Sequence, residues 1–156
     1  MTDEGGDPPC WASLLVDHRD VVPVAQARTD LATPAAVHDL VTRFYREIVF
    51  DELLEPIFGE LAEVDWAEHI PNLIDYWCWI LFGTHGFTGS VTKTHRRLHD
   101  VRSIEPVHCD RWMDLWSTTV DAGWSGPFAD HAKTHAAKLM EGMAKHVFGF
   151  AWSRCV

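Results

Sequence analysis

The chain has 156 residues, enough for one domain whose core encloses a small-molecule pocket. Its formal net charge of −10 repels phosphate backbones and argues against a nucleic-acid partner. It is 47% hydrophobic and carries eight tryptophans, so large aromatic rings must fill much of the interior.

Residues 1–32 mix Gly, Pro, acids and short apolar runs without a sustained period. They read as a flexible N-terminal extension, with a short helix near 22–28. A domain over 33–152 follows. Thr33-Pro34 supplies a cap and a favourable first helical position. Val37, Leu40, Val41, Phe44, Tyr45, Ile48 and Val49 then recur at helical spacing and predict an amphipathic helix. Asp51 caps a short second helix expected to end around Ile57-Phe58-Gly59. Asp65 and Glu68 form a capping-box-like pair at the start of a third. Its stripe is Trp66, Ile70, Leu73, Ile74, Trp77, Ile80 and Leu81, bordered by His69 and Tyr76. It should stop near Gly83, because "GTHGFTGS" is rich in breakers.

The segment "TKTHRRLH" holds His95 and His99 on one helical face, among Lys93, Arg96 and Arg97. Pro106 opens a helix in which Cys109, Trp112, Met113, Trp116, Val120 and Trp124 share a face. Ser125-Gly126-Pro127 breaks it and starts the last helix, striped by Phe128, Ala132, Ala136, Leu139, Met140, Met143 and Val147. No alternating strand pattern stands out. The expected class is all-α with about six helices.

The most apolar stretch, 66–82, contains Glu68, His69, Asn72 and Asp75, so no membrane span is expected. The start lacks a basic-then-apolar signal pattern, and the four cysteines are scattered without any CxxC. These features point to a reducing cytoplasm with free thiols.

Ten histidines raise the question of a metal. His95 with His99, and His131 with His135, are pairs that can each grip one edge of an ion. Zinc needs three or four ligands, and neither pair has a third nearby in sequence. No HExxH and no nucleophile signature is present, and Asp51-Glu52 reads as helix-start charge. One histidine beside a flat, aromatic-lined apolar slot suits haem, although a lone histidine on an apolar face is more often a core residue.

Four segments in order, "FYREIVFDELLEPIF" (44–58), "DWAEHIPNLIDYW" (65–77), "FTGSVTKTHRRL" (87–98) and "CDRWMDLWSTTV" (109–120), resemble the truncated haemoglobins of group III. The resemblance spans about residues 34–150. It implies a shortened globin fold, a 2-over-2 helical sandwich around haem b. His95, in "THRRL", resembles the proximal iron ligand. Tyr45, Trp112 and His69 resemble the distal residues. Phe58, Leu73 and Trp77 resemble residues that line the haem. His99 has no family role and reads as a helix-end histidine.

The implied ligands are O2, NO, CO or peroxide. A donor-rich pocket suits NO dioxygenation or peroxidase-like chemistry better than O2 delivery. With no flavin or nicotinamide domain, turnover requires an external reductase. The alternatives are a gas-binding or sensing module without turnover, and a haem-free or zinc-binding all-α protein. Trp79 and Trp116 depart from the family pattern by adding bulk.

Overall fold

The computed structural model describes residues 28–62 and 66–156, less the side chains of 60–62 and 66–68. The six α-helices are α1 (Pro34–Phe50), α2 (Glu55–Ala62), α3 (Trp66–Phe82), α4 (Val91–Val101), α5 (Pro106–Gly123) and α6 (Pro127–Met143). A π-helical turn, Ala144–Phe148, extends α6. Among the described residues there is no strand. No described helix is long and apolar enough to cross a membrane.

Local chemistry sets the helix ends. Thr33 Oγ1 accepts the Ala36 N–H at 3.2 Å, and Pro34 occupies a position whose N–H would have no helical partner. Ser90 Oγ accepts the Lys93 N–H at 3.2 Å to start α4. The Gly83 N–H donates to Trp79 O at 2.9 Å, and its φ of 70° lets the chain turn away from α3. The second helix departs from expectation. It runs through Gly59 to Ala62, because Asp51 Oδ1 accepts the N–H groups of Leu53 and Leu54 and so places the cap before Glu55. The expected helix over 22–28 lies outside the described residues except for Arg28, which is not helical; the Asp65–Glu68 pair lies outside them too.

Packing follows the apolar stripes. α1 buries Val37, Leu40, Val41, Phe44 and Ile48 and packs on α2, α3 and α5. α6 packs on α3 and α5, so α1, α3, α6 and α5 close a ring around one core. Trp116 sits at its centre, fully buried, and its indole N–H donates to Ala132 O at 3.2 Å. α4 stands apart. It packs mainly on the π-helical turn and fully buries only Leu98. A gap therefore remains between α4 and the ring.

Residues flanking 33–152 also pack on the helices. Leu31 is fully buried. Asp30 accepts the N–H groups of Phe128 and Ala129 at 3.0 and 2.9 Å, at the first turn of α6. Gly126, the N-cap of α6, has φ 134°, and a Cβ there would lie 2.6 Å from Asp30 Cγ. Glycine leaves the space in which a distant carboxylate does the capping. At the other end, Arg154 pairs with Asp114 and donates to Asp110 O, holding the tail along α5.

Burial alone would raise the Asp30 pKa, but the N–H groups of Phe128, Ala129 and Leu31 more than offset it and hold it below the ordinary 3.8. A depressed folded-state pKa adds stability above the ordinary value, and that stability is lost as pH falls through the folded value. Asp30→Ala is expected to cost about 0.5–2 kcal/mol in urea denaturation at neutral pH, the usual worth of a cap. Asp30→Asn is expected to flatten the fall in stability below about pH 4, read from the same curves at stepped pH.

Candidate functional site

Three adjoining lobes of empty space fill the gap between α4 and the ring, and His95 lines all three. The largest holds about 780 Å³, partly open to solvent, and is walled by Tyr45, His69, Leu73, Trp77, Trp112 and Met140 among others. A second, of about 320 Å³, is lined by Phe58, Trp112, Met140 and Phe148. A third, of about 430 Å³, lies between Tyr45, Phe58, His69, Leu73 and Leu98. The cavity thus has the largely apolar walls of a cofactor site. Its lining comes from all six helices, α1 to α6.

All seven candidate residues of the sequence reading line these lobes. Tyr45 and Leu73 are half-buried, Phe58 and Trp77 buried, and His69, His95 and Trp112 half-buried. Burial pushes the Tyr45 phenol well above its ordinary pKa of 10.0, so its O–H stays a donor at neutral pH. The Trp112 ring stacks on Trp116 at 5.5 Å and meets Phe44 edge-on at 5.0 Å. The indole N–H groups of Trp116 and Trp152 are bonded to Ala132 O and Asp110 Oδ1; among the described residues no such bond occupies that of Trp112.

The two histidines of α4 are in opposite states. His95 Nδ1 lies 2.8 Å from Val91 O, and a carbonyl can only accept, so Nδ1 carries the hydrogen. Desolvation lowers the His95 pKa, against the raising effect of that bond, and favours the neutral ring. Nε2 is then the nitrogen with a free lone pair. His99 Nδ1 instead accepts the Ile104 N–H at 3.0 Å, and its ring lies 5.3 Å from Phe148. It pins the chain leaving α4. Lys93, Arg96, Arg97 and Arg102 are exposed, and among the described residues none has a carboxylate partner.

The other pair, His131 and His135, has rings 6.2 Å apart, and His135 Nε2 is 2.7 Å from the Tyr76 hydroxyl. Among the described residues no three His, Cys, Asp or Glu side chains converge to hold a metal ion. His108 Nδ1 accepts the Glu105 N–H at 2.9 Å and closes the start of α5.

Sequence reasoning passed over Tyr76, Val91, Met140 and Met143 as cavity-lining residues. The two methionines and Tyr76 carry only the helical period, which cannot separate a core residue from one facing a cavity.

No protein-family model and no curated protein sequence matches the chain. Solved structures do. The group III truncated haemoglobin of Campylobacter jejuni superposes with a TM-score of 0.67 at 17% identity, over 77% of this chain and 94% of that one. A 2/2 haemoglobin of Synechococcus sp. PCC 7002, solved in the cyanomet state with covalently attached haem, gives 0.58 at 22% identity, over 75% and 90%. Six helices in this order, ringed around one core with the His95 helix set apart, are the truncated 2/2 globin fold.

Proposed function

We propose that the chain binds haem b in this cavity, with His95 as the proximal iron ligand, and that it performs redox chemistry on O2, NO or peroxide. One observation carries the reading. His95 donates Nδ1–H to Val91 O, which leaves Nε2 as a lone pair at the junction of three apolar lobes. A metal-binding imidazole needs its second nitrogen held in this way, because the bond fixes the tautomer and the ring orientation. The fold supports the reading, as does the haem recorded in the Synechococcus protein.

The donor set fits the group. Phe58, Leu73, Trp77 and Met140 offer flat apolar walls. Bound there, haem supplies an iron atom that takes a diatomic or peroxide ligand and changes oxidation state. The chain supplies the rest. Tyr45 and Trp112 both line the largest lobe and carry an O–H and an N–H, and His69 shares two lobes with Tyr45. Donors fixed before the ligand arrives stabilise developing negative charge in a site with little water. That favours NO dioxygenation or a peroxidase-like cycle over O2 delivery, with electrons from an external reductase. The free, buried thiols of Cys78 and Cys109 support a reducing compartment such as the cytoplasm.

Absorption spectra of the ferric, ferrous and CO forms test the haem reading. A Soret band that shifts with each state is expected. A preparation that stays colourless after hemin is added and desalted removes it. Mixing the O2-loaded protein with NO tests the chemistry, with one nitrate per NO as the expected yield.

A further inference from the structure

Tyr76 and His135 have no part in the ligand binding proposed for the cavity. Tyr76 is buried on α3, and its hydroxyl stands 2.7 Å from His135 Nε2 on α6. Trp112 stacks on Trp116 at 5.5 Å, and Trp116 on Trp77 at 4.5 Å. Trp77 meets Tyr76 edge-on at 5.5 Å, and Tyr76 meets Trp79 at 6.0 Å. Trp79 is 45% exposed and stacks on Phe87 at 6.0 Å. Oxidisable rings therefore run from the cavity wall, where Trp112 and Trp77 stand, to solvent at Trp79. No step between neighbouring centroids exceeds 6.0 Å.

We propose that this tract is a one-electron relay from the protein surface to the cavity. A phenol or aromatic amine too bulky to enter the cavity gives up electrons at Trp79, Tyr76 holds the radical, and His135 takes its proton. The inference rests on the haem reading for its oxidant, which is hydrogen peroxide reacting in the cavity. Each peroxide reduced to two waters takes up two electrons and two protons, so two donor molecules lose one electron and one proton each, the protons exchanging through solvent.

Within the tract, Trp77 loses one electron to the cavity and regains one from Tyr76. The Tyr76 O–H bond breaks, its proton moves to Nε2 of His135, and a neutral phenoxyl faces an imidazolium. The donor at Trp79 then returns one electron to the phenoxyl as His135 returns the proton. An oxidised phenol is a strong acid, so a tyrosine is a useful station only where a base stands within hydrogen-bond reach. His135 is that base. Burial pushes the Tyr76 phenol up to about 12, while desolvation, then the charges of His131 and Lys138, lower the His135 pKa. Both partners thus rest in the protonation states that the transfer needs. Trp79, a ring that adds bulk to the family pattern, is the link between Tyr76 and the surface, and Trp116 joins the two cavity-wall rings Trp112 and Trp77.

The chain has two tyrosines, Tyr45 and Tyr76, so the radical can be assigned. Two oxidants reach the tract from opposite ends. Hydrogen peroxide mixed with the haem-loaded full chain and freeze-quenched is expected to give a phenoxyl signal in electron paramagnetic resonance. The signal is lost in Tyr76→Phe, which leaves Tyr45 as the chain's one tyrosine. Photogenerated ruthenium(III) tris(bipyridine), which needs no haem, is expected to give the same phenoxyl, formed more slowly in Trp79→Phe. His135→Gln shortens its lifetime in both experiments. Phenylalanine replacements at Tyr76 and at exposed Trp79 keep the ring and so keep the fold. A signal that survives Tyr76→Phe, or a photo-oxidation rate unchanged in Trp79→Phe, overturns the relay. So does a haem-loaded chain that gives no Tyr76 phenoxyl with peroxide. A chain that takes up no haem yet yields the Tyr76 phenoxyl under ruthenium supports the Trp79–Tyr76 step and sinks the haem reading alone.

Discussion

His95→Ala is expected to leave a chain that cannot retain haem through a desalting column, whereas His99→Ala retains it. Both histidines are on α4, one turn apart, and both are half-buried. Their hydrogen bonds separate them. His95 spends Nδ1–H on Val91 O and keeps Nε2 for the cavity. His99 uses its Nδ1 lone pair on the Ile104 N–H, outside the cavity lining. Removing the His99 ring strands that N–H, which costs about 1–3 kcal/mol of stability without touching the ligand set. The Soret absorbance remaining after desalting, with a urea midpoint for each variant, checks both halves. Loss of haem in His99→Ala with retention in His95→Ala would place the iron on the wrong turn of the helix.

The second large effect concerns Tyr45 and Trp112. Tyr45→Phe and Trp112→Phe each remove one donor N–H or O–H and leave an aromatic ring in the cavity. A hydrogen bond to a charged acceptor contributes about 1.5–3 kcal/mol, so O2 release is expected to speed up roughly tenfold or more in each variant. Stopped-flow displacement of O2 by CO reads the rate directly. Tyr45→Phe is the cleaner experiment, because Phe44 packs edge-on against that ring and the ring remains. Trp112→Phe also shortens the stack on Trp116. Release rates equal to the parent in both variants mean that neither donor faces the ligand.

Helical periodicity was legible where one face meets a continuous core. Of the α1 stripe, Val37, Leu40, Val41, Phe44 and Ile48 are buried, and Tyr45 and Val49 are half-buried. α5 behaves the same way at Cys109, Met113, Trp116 and Val120. Gly59 misled because glycine usually ends a helix. Here its missing Cβ leaves space for the Glu55 carboxylate, which would otherwise lie 2.7 Å from it, and the helix runs on. The cavity residues came from matching ordered segments, since nothing in their spacing separates a cavity wall from a core.

Partners remote in sequence were invisible. Tyr76 and His135 are 59 positions apart, and either alone looks like an ordinary stripe residue. Asp51 and Arg111 are 60 apart, and Asp51 read only as a local cap. Its carboxylate is buried and also accepts Arg111 Nε at 2.6 Å, which ties the α1–α2 corner to α5. Phe50, by contrast, falls outside the α1 stripe and is 82% exposed beside that corner.

The carboxylate that starts α6 has a consequence for how the molecule assembles. Asp30 precedes the N–H groups that donate to it, at Phe128 and Ala129, by 98 and 99 positions. During synthesis it leaves the ribosome long before the helix it caps exists. Closing so long a loop is slow and entropically costly, so this clasp belongs to the late stages of folding. A nascent chain stalled before residue 128 therefore holds its other helices around an open seam, and that seam is where a chaperone or a protease would find purchase.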